Sequence, residues 1–585
     1  METANARLER LDLVVDGYDH VDEDGCRARD LGHELHSDTM RPAAKTMVWI
    51  ACELPKSRRV RLASMGLGAH GEIQLLALLI AVGAMLVVAA VLEVPLPILL
   101  VCGGLLLGFV PGMPHLTLAP DLVLVAVLPP LLYSAAFFTG LRDLRANLRP
   151  ISLLAFGLVG ATMCGVALVA HSVTGLSWAA SFTLGAVVSP TDALASSEIA
   201  RRTGAPRRIV AIIEGESLVN DGMALVLYKT AVAATVGGAF SLWHASLHLL
   251  FDVTGGIAIG LAVGFVVREI RRRIDDTPTE VAIALLSGYL AYLPAAAAGV
   301  SGVLAAVTIG VFMGWYTPQL TTVQTRLSGD AFWEILVFLV NALLFALVGL
   351  QLQGIVDRLA VTRGLILDAA AVAAAVVATR IVWVPIFTYV PRFLFRSVRE
   401  RDPYPPWQAP AVIAWAGIRG GVSLAAALAL PENLPGRDLI VFLTFAVILV
   451  TLVGQGLTLQ GLIRILGVED DGGAEREDAK ARIRAAEAAL ARLEELESED
   501  WVREDTAERI RGQYRFRATR FRARYEGNDV DGSEERSAAF QRLRRELLDA
   551  ERQAVVALRN NGVITQEVMN RVQRDIDLED SRLDL

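Results

Sequence analysis

Three carboxylates fall within about two helical turns of one apolar stretch, in Glu214-Gly215-Glu216-Ser217-Leu218-Val219-Asn220-Asp221-Gly222. Charged groups are costly in hydrocarbon, so each asks for a functional reason. Ser217 and Asp221 are four residues apart, which places a hydroxyl and a carboxylate on one helix face. Asn220 adds a neutral amide beside them. Hard oxygen ligands of this kind suit a weakly held monovalent cation or a proton, and they are too few in charge for a calcium cage. For Glu216 the favoured reading is structural: a buried carboxylate balanced by an arginine.

A second feature precedes it. In Gly185-Ala186-Val187-Val188-Ser189-Pro190-Thr191-Asp192-Ala193 the proline removes a backbone donor and pushes Ser189 out of helical geometry. The spacing predicts a helix broken near Thr191, with carbonyls freed for an ion and Asp192 at the positive end of a half-helix. A third stretch, Gly417-Ile418-Arg419-Gly420-Gly421-Val422-Ser423, is glycine-rich enough to unwind as well. Arg419 can neutralise the negative end of its own half-helix there. Two interrupted spans in comparable positions point to an inverted-repeat transporter with a site at mid-membrane. Arg380 is a lone cation among apolar residues and needs a buried partner, for which Glu216 is the candidate.

The elements that carry these residues are membrane spans. Of 585 residues 54% are hydrophobic and 20% charged, and the mean hydropathy is +0.46. A water-soluble fold cannot bury that much apolar surface, so the excess faces lipid. Hydropathy predicts about thirteen spans. They lie near 73–92, 95–111, 121–139, 150–174, 177–198, 208–236, 247–268, 280–298, 300–316, 331–352, 364–391, 408–430 and 438–464. The net charge of −8 arises mostly at the two ends and says little about ligands. Cys26, Cys52, Cys102 and Cys164 form no C-x-x-C pair, and the histidines are scattered, so neither a zinc site nor a disulfide framework is expected.

Alternate connections carry the arginines: Arg142, Arg145 and Arg149; Arg201, Arg202, Arg207 and Arg208; Arg268 and Arg271 to Arg273; Arg392, Arg396, Arg399 and Arg401. The positive-inside rule makes this set cytoplasmic, together with the C-terminal tail. The expected division is a polar extension over 1–70, a transmembrane domain over 71–466 and a helical cytoplasmic tail over 467–585. Lys56, Arg58, Arg59 and Arg61 stand before a span that should begin outside, so 1–64 is either a disordered extension or precedes a true start at Met65. In the tail, Ile483, Ala486, Leu490 and Leu493 have amphipathic helical spacing. The basic-aromatic runs Tyr514 to Arg517 and Arg520 to Tyr525 suit either anionic headgroups or a helix packed on itself, and nucleic acid is not an expected partner.

Taken in order, these motifs resemble the sodium/proton exchangers of the bacterial NhaP and animal NHE type. The resemblance rests on the Ser-x-Thr-Asp of the fifth span, the E-G-E-S-L-x-N-D of the sixth and the G-x-R-G of the twelfth. Leu128-Pro129-Pro130-Leu131-Leu132-Tyr133, and Phe332-Trp333-Glu334 with Asn341 and Gly349, agree with it. The resemblance covers about 73–466. It implies an all-α polytopic fold of thirteen helices with inverted repeats and two broken crossing helices. It also implies a homodimer working by elevator-like alternating access in the plasma membrane. Asp221 would carry the ion, with Ser217, Asp192, Thr191 and Asn220 completing the site for a monovalent cation or a proton. Glu216 and Arg380 would form a structural pair, and Arg419 would compensate helix ends. The Asn220-Asp221 pair resembles the electroneutral branch. Two positions depart from the pattern: Ser134 stands where many relatives carry an acid, and Ala193 where relatives usually have proline.

The expected activity is exchange of sodium or lithium for protons in pH and sodium homeostasis, without a cofactor and without enzymatic chemistry. A potassium/proton antiporter with the same site is the alternative. An intramembrane hydrolase using Ser217 lacks a nearby histidine and a G-x-S-x-G turn. A channel would call for a conducting ring of charges rather than one carboxylate at a helix break.

Overall fold

The computed structural model describes the chain from Pro95 to Ser581, apart from 109–121, 238–241, 357–358, 360–361, 469, 471 and 527–532, with a few residues before Pro95. The expected extension 1–70 lies outside the described residues, as does most of the expected first span at 73–92. All the regular structure described is helical. In chain order the main helices begin with α1 (Leu96–Gly108), α2 (Leu128–Phe138), α3 (Val159–Thr174), α4 (Trp178–Val187) and α5 (Ala193–Arg202). There follow α6 (Arg207–Gly237), α7 (Leu242–Arg271), α8 (Thr277–Ala297), α9 (Gly302–Leu320), α10 (Val323–Val356) and α11 (Arg363–Leu394). Next are the short α12 (Gln408–Trp415) and α13 (Gly421–Leu428), then α14 (Arg437–Leu449) running on through a π-helical turn into α15 (Gly456–Ile465).

Among the described residues seven helices are long and apolar enough to cross a bilayer: the one running over Leu148–Thr174 that includes α3, then α7 to α11, and the continuous α14–α15. The spans expected at 177–198 and 408–430 do not register as single long helices because each is split, into α4 with α5 and α12 with α13. The sixth, α6, is 31 residues long but carries the carboxylates of the motif, which lower its apolar character.

Helix contacts are made close by small residues, as in membrane bundles, where packing rather than hydrophobic exclusion joins helices. A side chain at Gly104 or Gly349 would overlap the facing backbone, so α1 and α10 touch main chain to main chain. Gly310 and Gly314 of α9 likewise meet the backbone of α2 at Tyr133 and Phe137. Large apolar side chains such as Leu290, Ile386, Phe393 and Leu339 remain exposed on the outer surfaces, as lipid-facing positions should.

Beyond α15 the composition changes to charge-rich helices: α16 (Gly473–Leu496), α17 (Glu504–Glu526), α18 (Ser533–Asn560) and α19 (Gln566–Ser581). Arg522 of α17 reaches Glu487 of α16 at 2.7 Å, and Arg552 of α18 reaches Asp577 and Asp580 of α19 at 3.0 and 2.7 Å. Of the basic-aromatic run, Phe521 is buried with Arg482 of α16 over its ring at 5.0 Å, while Phe516 is exposed. At Phe521 the helix therefore packs on its neighbour rather than facing outward.

Candidate functional site

The two broken helices meet at their breaks. α4 starts at a Ser177 cap, whose hydroxyl accepts the Ala180 N–H at 3.3 Å, and it ends at Val187. Pro190 then holds the chain away from helix. Ser189 turns its hydroxyl back to the Gly185 carbonyl at 2.6 Å, satisfying an acceptor that the break would leave open. The chain re-enters helix at α5, capped by Asp192, whose carboxylate accepts from Leu194 N–H at 2.9 Å and Ala195 N–H at 3.4 Å. A carboxylate at this position satisfies two orphan donors and complements the helix dipole.

Opposite it, α12 ends at Trp415 and α13 begins at Gly421, leaving 416–420 without helix. The Asp192 N–H donates to the Ile418 carbonyl at 2.7 Å, a backbone bond between the two breaks. Gly420 lies so close to Asp192 that any β-carbon there would overlap the carboxylate. Arg419, 1% exposed, donates to the Val188 carbonyl at 3.1 Å and to Gly417, while Thr451 accepts its backbone N–H at 3.1 Å. The sequence places Arg419 at the end of its own half-helix. The structure sends it also to the C-terminal end of α4, because the crossing brings that carbonyl nearer.

The uninterrupted α6 runs past both breaks. Ser217 donates to the Thr191 carbonyl at 2.7 Å and accepts the Ala193 N–H at 3.3 Å. Asn220, expected among the ion ligands, is engaged twice by Thr191: its amide donates to the Thr191 hydroxyl at 2.8 Å and its oxygen accepts the Thr191 N–H at 3.4 Å. Both ends of the amide are thus occupied by the break. Glu216 is gripped by Arg380 through two N–H donors, one at 2.7 Å, and accepts the Thr191 hydroxyl at 3.4 Å. Arg380 is fully buried and gives its other donors to the Ile413 carbonyl at 3.1 and 3.0 Å.

Asp221 differs from all of these. It is 6% exposed, and its Oδ1 has no hydrogen-bond partner among the described residues. It lines a cavity of about 1040 Å³ together with Thr191, Asp192, Ser217 and Ser134. Ser134 is buried, and its hydroxyl donates to the Leu131 carbonyl at 2.9 Å. The position that lacks an acid therefore does face the cavity. The same cavity is lined by Glu198 and Glu214, paired with Arg202 and Arg201 at 2.5 and 2.7 Å, and by Asp330 and Glu334. Asp330 and Glu334 have no ion-pair partner among the described residues. Sequence reasoning notes Glu334 within a motif and passes over Asp330, although a spacing of four on α10 was a signal that both share a face.

The charges around the crossing can be counted. Arg380 and Arg419 supply two positive charges; Glu216, Asp192 and Asp221 supply three negative ones. With every group ionised the sum is −1, which one proton or one monovalent cation brings to zero. Burying an uncompensated charge is strongly unfavourable, so the crossing with every group ionised calls for one compensating positive charge.

The family model for the transmembrane sodium/hydrogen exchanger matches residues 75–465. The chain is 36% identical over 534 residues to an uncharacterized Na(+)/H(+) exchanger of Mycobacterium tuberculosis (strain ATCC 25618 / H37Rv), covering 88% of this chain and 98% of that one. It is 33% identical over 436 residues to the Na(+)/H(+) antiporter ApNhaP of Aphanothece halophytica, covering 73% and 81%. The solved structure of the sodium proton antiporter MjNhaP1 from Methanocaldococcus jannaschii matches with a TM-score of 0.55 at 18% identity, over 68% of this chain and 100% of that one. The last likeness shows a common fold.

Proposed function

Because the chain belongs to the sodium/hydrogen exchanger family, we propose that it exchanges one sodium or lithium ion for one proton at the carboxylate of Asp221. The observation that carries this reading is the unpartnered Oδ1 of Asp221, a residue that lines the cavity, at a crossing whose five charged groups sum to −1. Ser217, Asn220, Glu216 and the Thr191 hydroxyl each bond to another residue, whereas this carboxylate oxygen bonds to none of the described residues and is left for an ion. Asp192, the Ser217 hydroxyl and the Thr191 carbonyl stand around it as further oxygen ligands. Asn220 acts by holding Thr191 in place, not by touching the ion. The Glu216–Arg380 pair and Arg419 serve to hold the crossing together.

Proton and cation compete for one carboxylate, since each neutralises the same charge. If the site closes only when occupied, exchange is obligatory and one-for-one, and an excess of protons slows cation uptake without any separate sensor. The resemblance supports a homodimer in the plasma membrane, thirteen spans arranged as inverted repeats, elevator-like movement of the crossing against a dimerisation part, and a cytoplasmic C-terminus. The carbonyl at Thr191 sets part of the cavity size, so potassium is the cation to compare with sodium. The test is exchange in proteoliposomes with each cation. Asp221→Asn should insert and fold like the parent and exchange nothing; pH-gradient-driven sodium uptake by that variant would refute the assignment.

A further inference from the structure

One cluster of charge plays no part in the exchange site. Asp402, in the connection between α11 and α12, faces three guanidinium groups: Arg392 at 2.5 Å, Arg208 at 3.0 Å and Arg149 at 3.5 Å. Three positive charges against one negative leave the cluster at +2. Arg392 is fully engaged, with Asp402 and the Thr388 carbonyl, and Arg208 also donates to Asn147 at 3.2 Å. Arg149 is not: both of its terminal nitrogens are buried, and neither donates a hydrogen bond to any described residue. A guanidinium offers a planar fork of donors matched to phosphate and carboxylate oxygens.

The cluster sits where membrane helices end. Arg149 opens the helix that continues as α3, and Arg392 closes α11. These two helices pack side by side, the Trp383 indole N–H donating to the Leu153 carbonyl at 3.2 Å. Exposed apolar side chains run from the cluster along both of them, Leu148 and Phe156 on one, Val390 and Ile386 on the other. We propose that the Arg149 side chain, 31% exposed, turns its terminal nitrogens outward onto the phosphate of an anionic phospholipid headgroup, whose acyl chains lie along these exposed side chains. A free phosphate would satisfy the donors but gain nothing from the apolar tract.

The full-length protein purified in detergent and offered equal phosphatidylglycerol and phosphatidylcholine should retain phosphatidylglycerol preferentially in native mass spectra. Arg149→Gln should lower that preference about fivefold, the factor one basic residue is worth near an anionic surface. Arg149→Lys, which keeps the charge but loses the fork, should fall between them and guards against a folding defect. Sodium/proton exchange in pure phosphatidylcholine vesicles should be the same for all three. Equal retention of both lipids by the parent protein, or an unchanged preference in Arg149→Gln, overturns the proposal. So does inorganic phosphate that displaces phosphatidylglycerol at millimolar concentration, which would mark a phosphate site and not a lipid site.

Discussion

Replacing Glu216 by glutamine keeps the shape of the side chain and removes one charge from the centre of the crossing. Arg380 has no exposed surface and Glu216 1%, so water cannot take over the interaction. In the parent chain the carboxylate meets two guanidinium donors, and a glutamine would turn one acceptor into a donor facing a donor. Arg419 adds to the effect. A β-carbon built on Gly417 would lie 2.7 Å from Nε of Arg380 and 2.8 Å from Nη1 of Arg419, so a second guanidinium lies close to the pair, and among the described residues Glu216 is the one carboxylate bonded to either. Removing one partner of a buried pair is worth about 3–5 kcal/mol. With roughly 1.4 kcal/mol per factor of ten, that is a change of more than a hundredfold in the folded ratio. The assay is a two-by-two set of Glu216→Gln and Arg380→Met, read by thermal unfolding in detergent and by the yield of monodisperse protein. Each single variant should be strongly destabilised, and the double variant should be more stable than either. Single variants as stable as the parent, or losses that simply add, would refute the reasoning that the pair is a closed charge unit.

Gly420→Ala should crowd the Asp192 carboxylate and lower stability by about 1–3 kcal/mol, as overpacking does, with exchange falling in parallel; parent-like melting and transport would show that the two breaks do not touch there. Asp330→Asn with Glu334→Gln should raise the apparent KM for sodium, roughly tenfold at low ionic strength, because fixed charges lining a cavity concentrate counter-ions. That difference should vanish when an impermeant salt screens the cavity, and a KM shift independent of ionic strength would exclude steering. Thr279 donates its hydroxyl and its N–H to Asp276 ahead of α8, holding that carboxyl below the usual carboxylate range. A depressed folded pKa makes its stabilisation complete above the unfolded value of about 3.9 and lost as pH falls through the folded one. Hydrogen-exchange protection of the first turn of α8 should therefore fall on acidification in the parent and stay level in Asp276→Asn.

Several of these relations were open to reading because charges in apolar spans are few. Arg380 and Glu216 each lack a local partner, so a short enumeration brings them together. Proline at 190 marks the first break through its missing N–H and its effect on Ser189. The crossing bond from Asp192 to Ile418 was not readable, since backbone groups carry no residue-specific signature and the two positions are 226 residues apart in sequence. For the same reason Arg419 could be placed near its own half-helix but not on the Val188 carbonyl. Asn220 reads from its chemistry as an ion ligand; only the position of Thr191 decides that both ends of its amide are occupied.

The count of charges at the crossing bears on energy supply. Moving one elementary charge through a membrane potential is worth about 2.3 kcal/mol per 100 mV. A carrier neutral in each loaded form does no electrical work in either direction. Its exchange would then run on the ratio of the two concentration gradients alone, indifferent to the voltage of the cell. A depolarised membrane would still be able to expel sodium wherever a proton gradient persists. One further fixed charge among those five groups would make each half of the cycle sense the membrane potential, yet it returns with the carrier and leaves the net driving force of one-for-one exchange unchanged.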